Sequence, residues 1–183
     1  MESPPYKTAP ASLKGRRRQT GGPISEFMAA EHAFLDELLA QASRGSIPAY
    51  RQFRERLLRH ISIEEKLLLP MAQRRRSGEP LPMAARLRLD HGALAALMLL
   101  PPAPGTFKAV GAVLAAHNPL EEDPGGVYEQ CDALAGGESG ELLRRAAEMP
   151  AVPVSAWVEN DARVVEAVRR ALVRGGYSAA LID

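Results

Sequence analysis

Each of the four histidines in this chain stands at a spacing that suits a metal ligand. His60 is followed four positions on by Glu64 and then Glu65, and His117 four positions on by Glu121 and then Glu122. His32 and His91 each precede one of these pairs by about a helix and a loop, so the order His, His-x-x-x-Glu-Glu is written twice. Residues four apart on an α-helix project from the same face, one turn apart. Each pair can therefore bring an imidazole nitrogen and a carboxylate oxygen to one point.

The surrounding residues place these groups on apolar faces. The first row runs Met28, His32, Leu35, Leu39, and the second Phe53, Leu57, His60, Glu64, Leu67, Met71. The third runs Ala84, Leu87, His91, Leu94, Met98, and the fourth Phe107, Val110, Leu114, His117, Glu121. All four keep the three-to-four spacing of a buried helical stripe. A buried carboxylate without a partner costs several kcal/mol, and no Lys or Arg shares these stripes, so a bound dication is the cheapest way to satisfy them. Imidazole with carboxylate suits iron, zinc or manganese. Six ligands are too many for one tetrahedral zinc. They suit two metals, each held by two histidines and bridged by both carboxylates.

Other metal folds fail on spacing. No Glu stands three before any of the histidines, as ferritin-like di-iron bundles require. The zinc-protease order His-Glu-x-x-His is absent. The short strands of a cupin have no counterpart in a chain rich in Ala, Leu, Glu and Arg and only 5% aromatic.

Glu31-His32, the run His60 to Pro70 (HISIEEKLLLP), Asp90-His91 and the run His117 to Glu122 (HNPLEE) together resemble the hemerythrin-like, or HHE cation-binding, domain over roughly residues 24 to 135. That resemblance implies an all-α, antiparallel up-down-up-down four-helix bundle around a non-haem di-iron centre. His32, His60, His91 and His117 would be terminal ligands, and Glu64 and Glu121 would bridge two irons, joined also by an oxo or hydroxo group. Oxygen-carrying hemerythrins use a fifth histidine, which this chain lacks, so Asp36, Glu65, Glu122, Tyr128 or water would fill the open positions. Pro119 lies between His117 and Glu121, where it removes a helical hydrogen bond and predicts a kink. The choice between Glu121 and Glu122 stays open on that account.

The elements that must position these residues can be bounded. Residues 1–22 read as a flexible basic tail with a Lys14 to Arg18 cluster, residues 23–135 as the bundle, and residues 136–183 as a helical extension packed on it or on a second copy in a homodimer. The spacing predicts helices over about Ile24–Ala42 with Ser25 as N-cap, Pro48–Arg76 with a bend at Pro70, Pro82–Leu100 and Gly105–Asp123. Shorter helices follow over Tyr128–Leu134 and Glu141–Met149, then a strap carrying Trp157. A last helix is capped by Asn160 or Asp161 and ends at Gly175-Gly176. Cys131 reads as a small buried apolar residue.

A net charge of +1 gives no sign of nucleic-acid binding, and no apolar run is long enough to span a bilayer. The N-terminus lacks a signal-like segment, which makes the cytoplasm the default. The functional expectation is a di-iron protein that meets O₂, peroxide or nitric oxide in oxygen or redox sensing or in iron handling. The alternatives are a non-catalytic, metal-stabilised sensor or partner-binding module, and repair of iron–sulfur centres. No separate general base stands out, and Asp36 is the candidate to support His32 from behind.

Overall fold

A computed structural model of the chain describes residues 21–159 and 161–183. The Lys14 to Arg18 cluster and Asn160 lie outside the described residues. Among the described residues the chain is helical and has no strand. The long elements are α1 (Pro23–Ser43), α2 (Ile47–Ile63), α4 (Ala84–Leu97) and α5 (Pro104–Glu122). A π-helical turn, Glu64–Leu68, joins α2 to the short α3 (Leu69–Arg75). After α5 come α6 (Val127–Ala135), α7 (Ser139–Ala147) and α8 (Ala162–Arg174).

The helix starts show where local sequence suffices and where it does not. Ser46 caps α2 by accepting from the Ala49 N–H at 3.3 Å, with Pro48 preset for the first turn. Asp161 caps α8 by accepting from the Arg163 N–H. The expected Ser25 cap of α1 is corrected, because Ser25 lies inside the helix and the cap position is Gly22. The capping oxygens come from Asp132 on α6, which accepts from the Ile24 N–H at 2.8 Å, the Ser25 N–H at 3.0 Å and the Ser25 hydroxyl at 2.7 Å. Free N–H groups at a helix start need an acceptor but do not specify where in the chain it comes from.

Two departures from regular helix fall beside the candidate ligands. Just ahead of Pro70 the ladder widens, and the Leu69 N–H closes onto the Glu64 carbonyl five residues back. Such π-turns cluster at functional positions. Helix α5 continues through Pro119 to Glu122, where the Asp123 N–H closes onto the Pro119 carbonyl at 3.1 Å. Helix α4 is shorter than its apolar pattern predicts. Its end tightens into three-residue turns at Leu99 and Leu100 because the residue before Pro101 is pushed out of helical geometry.

Apolar side chains gather in two clusters. One holds Leu35, Leu57, Leu94 and Leu114, and the other Ile24, Met28, Ile63, Leu67, Leu87, Val127 and Tyr128. Helix α1 runs from the second cluster to the first, α2 runs back, α4 again runs from second to first, and the α5–α6 segment returns. The later helices add to the same clusters, with Leu142 and Ala146 of α7 in the second and Val168 and Leu172 of α8 in the first. Buried Arg54 ties α2 to the end of α4 through the Met98 carbonyl at 2.8 Å, and to the strap through the Ser155 carbonyl at 2.8 Å. Trp157 packs there, its ring centre 5.9 Å from that of Tyr50. Cys131 is fully buried, and burial pushes its thiol up to about 12. No helix among the described residues is long and apolar enough to cross a membrane.

Candidate metal centre

The layer between the two apolar clusters is polar. Each long helix crosses it once and leaves a histidine there: His32 between Met28 and Leu35, His60 between Leu57 and Ile63, His91 between Leu87 and Leu94, and His117 beyond Leu114. With Glu64 and Glu121, these residues are each 5% exposed or less. The two carboxylates tie the four rings together. Glu64 lies with Oε1 3.3 Å from His60 Nε2 and Oε2 3.0 Å from His91 Nε2. Glu121 lies with Oε1 3.2 Å from His117 Nε2 and Oε2 3.5 Å from His32 Nε2. His32 Nε2 and His60 Nε2 are 2.9 Å apart. The result is two overlapping groups, His32–His60–Glu64–Glu121 and Glu64–His91–His117–Glu121, each with its ligand atoms within 4.8 Å of one another.

The outer ring nitrogens meet a second set of acids. His91 Nδ1 is 2.8 Å from Glu65 Oε1, and Glu65 also accepts from Arg88 at 3.2 Å. His32 Nδ1 bonds Glu122. Each Glu-Glu pair therefore grips both nitrogens of a histidine on another helix. Asp36 is exposed on α1, and the carboxylate on the outer nitrogen of His32 is that of Glu122 instead. His117 Nδ1 faces Asp90 Oδ2 at 3.6 Å, whereas His60 Nδ1 is buried without a hydrogen-bond partner. Glu31, beside His32, is neutralised by Arg56 and by Arg59, whose Nη1 is 3.6 Å away.

Tyr128, one of the oxygens expected near the open positions, lies at the centre of the set. Its hydroxyl donates to Glu64 Oε1 at 2.5 Å and lies 3.0 Å from Glu121 Oε2. It is also 3.2 Å from His32 Nε2 and 3.4 Å from His60 Nε2. The turn after α5 delivers it. A Cβ on Gly126 would meet the Glu121 carbonyl oxygen at 2.5 Å, so only glycine lets α6 fold back this tightly beneath Glu121.

The electrostatics are those of a site short of positive charge. Burial alone would lift the Glu64 carboxyl, but His60 and His91 outweigh it and hold the group well below the usual carboxylate range. Burial and the nearby Glu64 push Glu121 up. Burial opposes protonation of His91 and His117, yet Glu64 and Glu65 raise the first to about 9, and Asp90 and Glu121 raise the second to about 10. Burial, then Glu121 and Glu64, lift the Tyr128 hydroxyl well above its ordinary value. Even so, His91 Nε2, Glu64 Oε2 and Glu121 Oε1 are buried and make no well-aligned hydrogen bond, meeting only the ion-pair contacts given above. Inward-facing polar atoms in that condition are costly unless a further group satisfies them. The donor set fits a divalent cation, since neutral imidazole and carboxylate are ordinary ligands of iron, zinc and manganese.

A small cavity of about 10 Å³ abuts the layer, lined by His32, His60, His117, Leu35, Leu57, Leu94 and Leu114. That is the room one water-sized molecule needs. Comparison with family models, with curated proteins and with solved structures finds no match to this chain.

All six residues expected from spacing, His32, His60, Glu64, His91, His117 and Glu121, meet in this layer. Glu121 is the inward carboxylate of its pair and Glu122 the outward one, so Pro119 does not exchange their places. Sequence reasoning gave Asp90 no role beyond its place beside His91. Adjacency to a histidine was its only signal.

Proposed function

We propose that this chain is a metal-binding helical protein whose six buried ligands hold two divalent ions, with His32 and His60 on one, His91 and His117 on the other, and Glu64 and Glu121 shared. The observation that carries this reading is the pair of overlapping ligand groups joined by those two carboxylates. The inward atoms of Glu64, His91 and Glu121, buried with ion-pair contacts but no well-aligned hydrogen bond, support it. The alternation of α1, α2, α4 and α5–α6 between two apolar clusters supports an up-down-up-down four-helix bundle around the site, the arrangement of the hemerythrin-like proteins that the motifs resemble.

Iron is the metal we assign, and it would supply electron exchange with a small molecule. The protein's residues decide which molecules qualify. Leu35, Leu57, Leu94 and Leu114 wall a space at the lower limit for one water, which favours the smallest partners, and O₂, nitric oxide or peroxide is the class we assign. Glu65 and Glu122 hold the outer nitrogens of His91 and His32, fixing which nitrogen each ring turns inward. Tyr128 offers a hydroxyl at the centre of the ligand set, able to hold a proton between Glu64 and Glu121.

The test is to load the protein with iron without oxygen and follow its absorption as O₂, hydrogen peroxide or nitric oxide is added. A spectral change with at least one of them is expected, whereas an iron-loaded protein inert to all three would overturn the reactive reading. A second reading, a metal-stabilised sensor or partner-binding module, is favoured by one observation: the ligands come from four separate helices, so ligation would knit the whole fold. Under it, iron raises the melting temperature strongly and the spectrum ignores all three molecules.

A further inference from the structure

Helix α8 ends against the metal layer. Val168 and Leu172 anchor it in the first apolar cluster, where it packs on α4. Its last turn closes through Gly175 and Gly176, the latter at φ +79°, a conformation that favours glycine. The Tyr177 N–H then bonds back to the Leu172 carbonyl at 2.9 Å. That turn carries the Tyr177 hydroxyl to α4, where it donates to Asp90 Oδ1 at 2.6 Å. Arg86, one turn before Asp90, donates to Oδ1 at 2.6 Å, to Oδ2 at 3.1 Å and to the Tyr177 hydroxyl at 2.9 Å. Its guanidinium sits 5.3 Å from the centre of the Tyr177 ring. The three side chains form a closed ring of hydrogen bonds around a carboxylate that is fully buried.

The open side of that carboxylate faces the site. Asp90 Oδ2 is 3.6 Å from His117 Nδ1, a buried nitrogen with no hydrogen-bond partner of its own. The acids behind His91 and His32 differ in this respect. The side chains of Glu65 and Glu122 are 26% and 34% exposed, so water can reach them. Asp90 has no such help, and only its protein donors hold it in place.

We propose that Tyr177 and Arg86 are positioning residues of the metal centre, acting through Asp90 on the ring of His117. The docked C-terminal helix is then part of the frame that orients a ligand. The inference rests on the metal-binding reading above. A carboxylate behind a ligating histidine fixes its ring and strengthens it as a ligand, and losing such a partner typically weakens metal binding about 10- to 100-fold. Removing the tyrosine hydroxyl takes away one of the two donors on Oδ1 and leaves the carboxylate held by Arg86 alone, with less to keep Oδ2 turned toward His117.

The experiment is a Co(II) titration followed by visible absorption, on full-length wild type, Tyr177→Phe, Asp90→Asn and Val168→Ala. The last variant loosens α8 without touching Asp90 and so controls for docking alone. In wild type, two Co(II) ions are expected to bind. Tyr177→Phe is expected to weaken one of them by about tenfold or more and to shift its absorption band, Asp90→Asn to do the same more strongly, and Val168→Ala to change neither. Wild-type affinity and spectrum in both Tyr177→Phe and Asp90→Asn would overturn the inference while leaving the metal reading intact. So would a Val168→Ala protein that loses affinity as much as Tyr177→Phe at an equal fall in melting temperature. A wild type that takes up no Co(II) would overturn the metal reading, and this inference with it.

Discussion

Tyr128 donates a 2.5 Å hydrogen bond to Glu64 from a helix that lies outside all four ligand-bearing stretches. The bond places a phenol among the ligand atoms of a buried site. Tyr128→Phe removes only that group. It is expected to leave metal stoichiometry unchanged and to alter the absorption spectrum of the iron-loaded protein. An unaltered spectrum would show that the hydroxyl does not reach the metals.

The two inner and two outer glutamates separate cleanly by substitution. Glu121→Gln is expected to lose at least one of the two metals. Glu122→Gln, which acts on the outer nitrogen of His32, should keep both and bind them about 10- to 100-fold more weakly. Elemental analysis of the two variants, side by side, reads this directly. Equal loss in both would assign Glu122 to the ligand set.

In the metal-free chain the folded His91 and His117 titrate near 9 and 10, against 6.5 for an ordinary histidine. Folding favours their protonated forms, so the stability they contribute is complete below about pH 6.5 and is lost as pH rises through 9 and 10. Metal must displace the same protons. Metal-free melting temperature is thus expected to fall from pH 6.5 to 10 while metal affinity rises over that interval. Parallel trends in the two quantities would contradict the assignment.

Asp132 supplies the helix-start acceptor that Gly22 cannot. Asp132→Ala removes three hydrogen bonds at the start of α1 and is expected to cost about 1–2 kcal/mol by urea denaturation, the usual worth of an N-cap. Ser25→Ala should cost less, since the Ile24 and Ser25 N–H groups keep their acceptor.

Much of the site was legible because helical periodicity alone decides which residues share a face. The rows through His32, His60, His91 and His117 needed only the three-to-four spacing, and the structure gathers all of them in one layer. What periodicity does not carry is where a partner lies in space. Asp132 behind α1, Tyr128 beneath Glu121 and Tyr177 against Asp90 are each brought in by a later turn of the chain. Gly126 and Gly176 mark two of those turns, but a glycine in sequence states that the backbone bends, not what the bend delivers. Pro119 is a different case. It raised a doubt over Glu121 and Glu122, yet α5 runs on through it and leaves Glu121 facing inward.

The most direct test of the central claim is metal content per chain, measured by elemental analysis on protein loaded with Fe(II) and desalted without oxygen. Two irons per wild-type chain are predicted, falling to one or none in His60→Ala and in His117→Ala. A single tightly held ion in wild type, or content untouched by either substitution, would contradict the two-metal site.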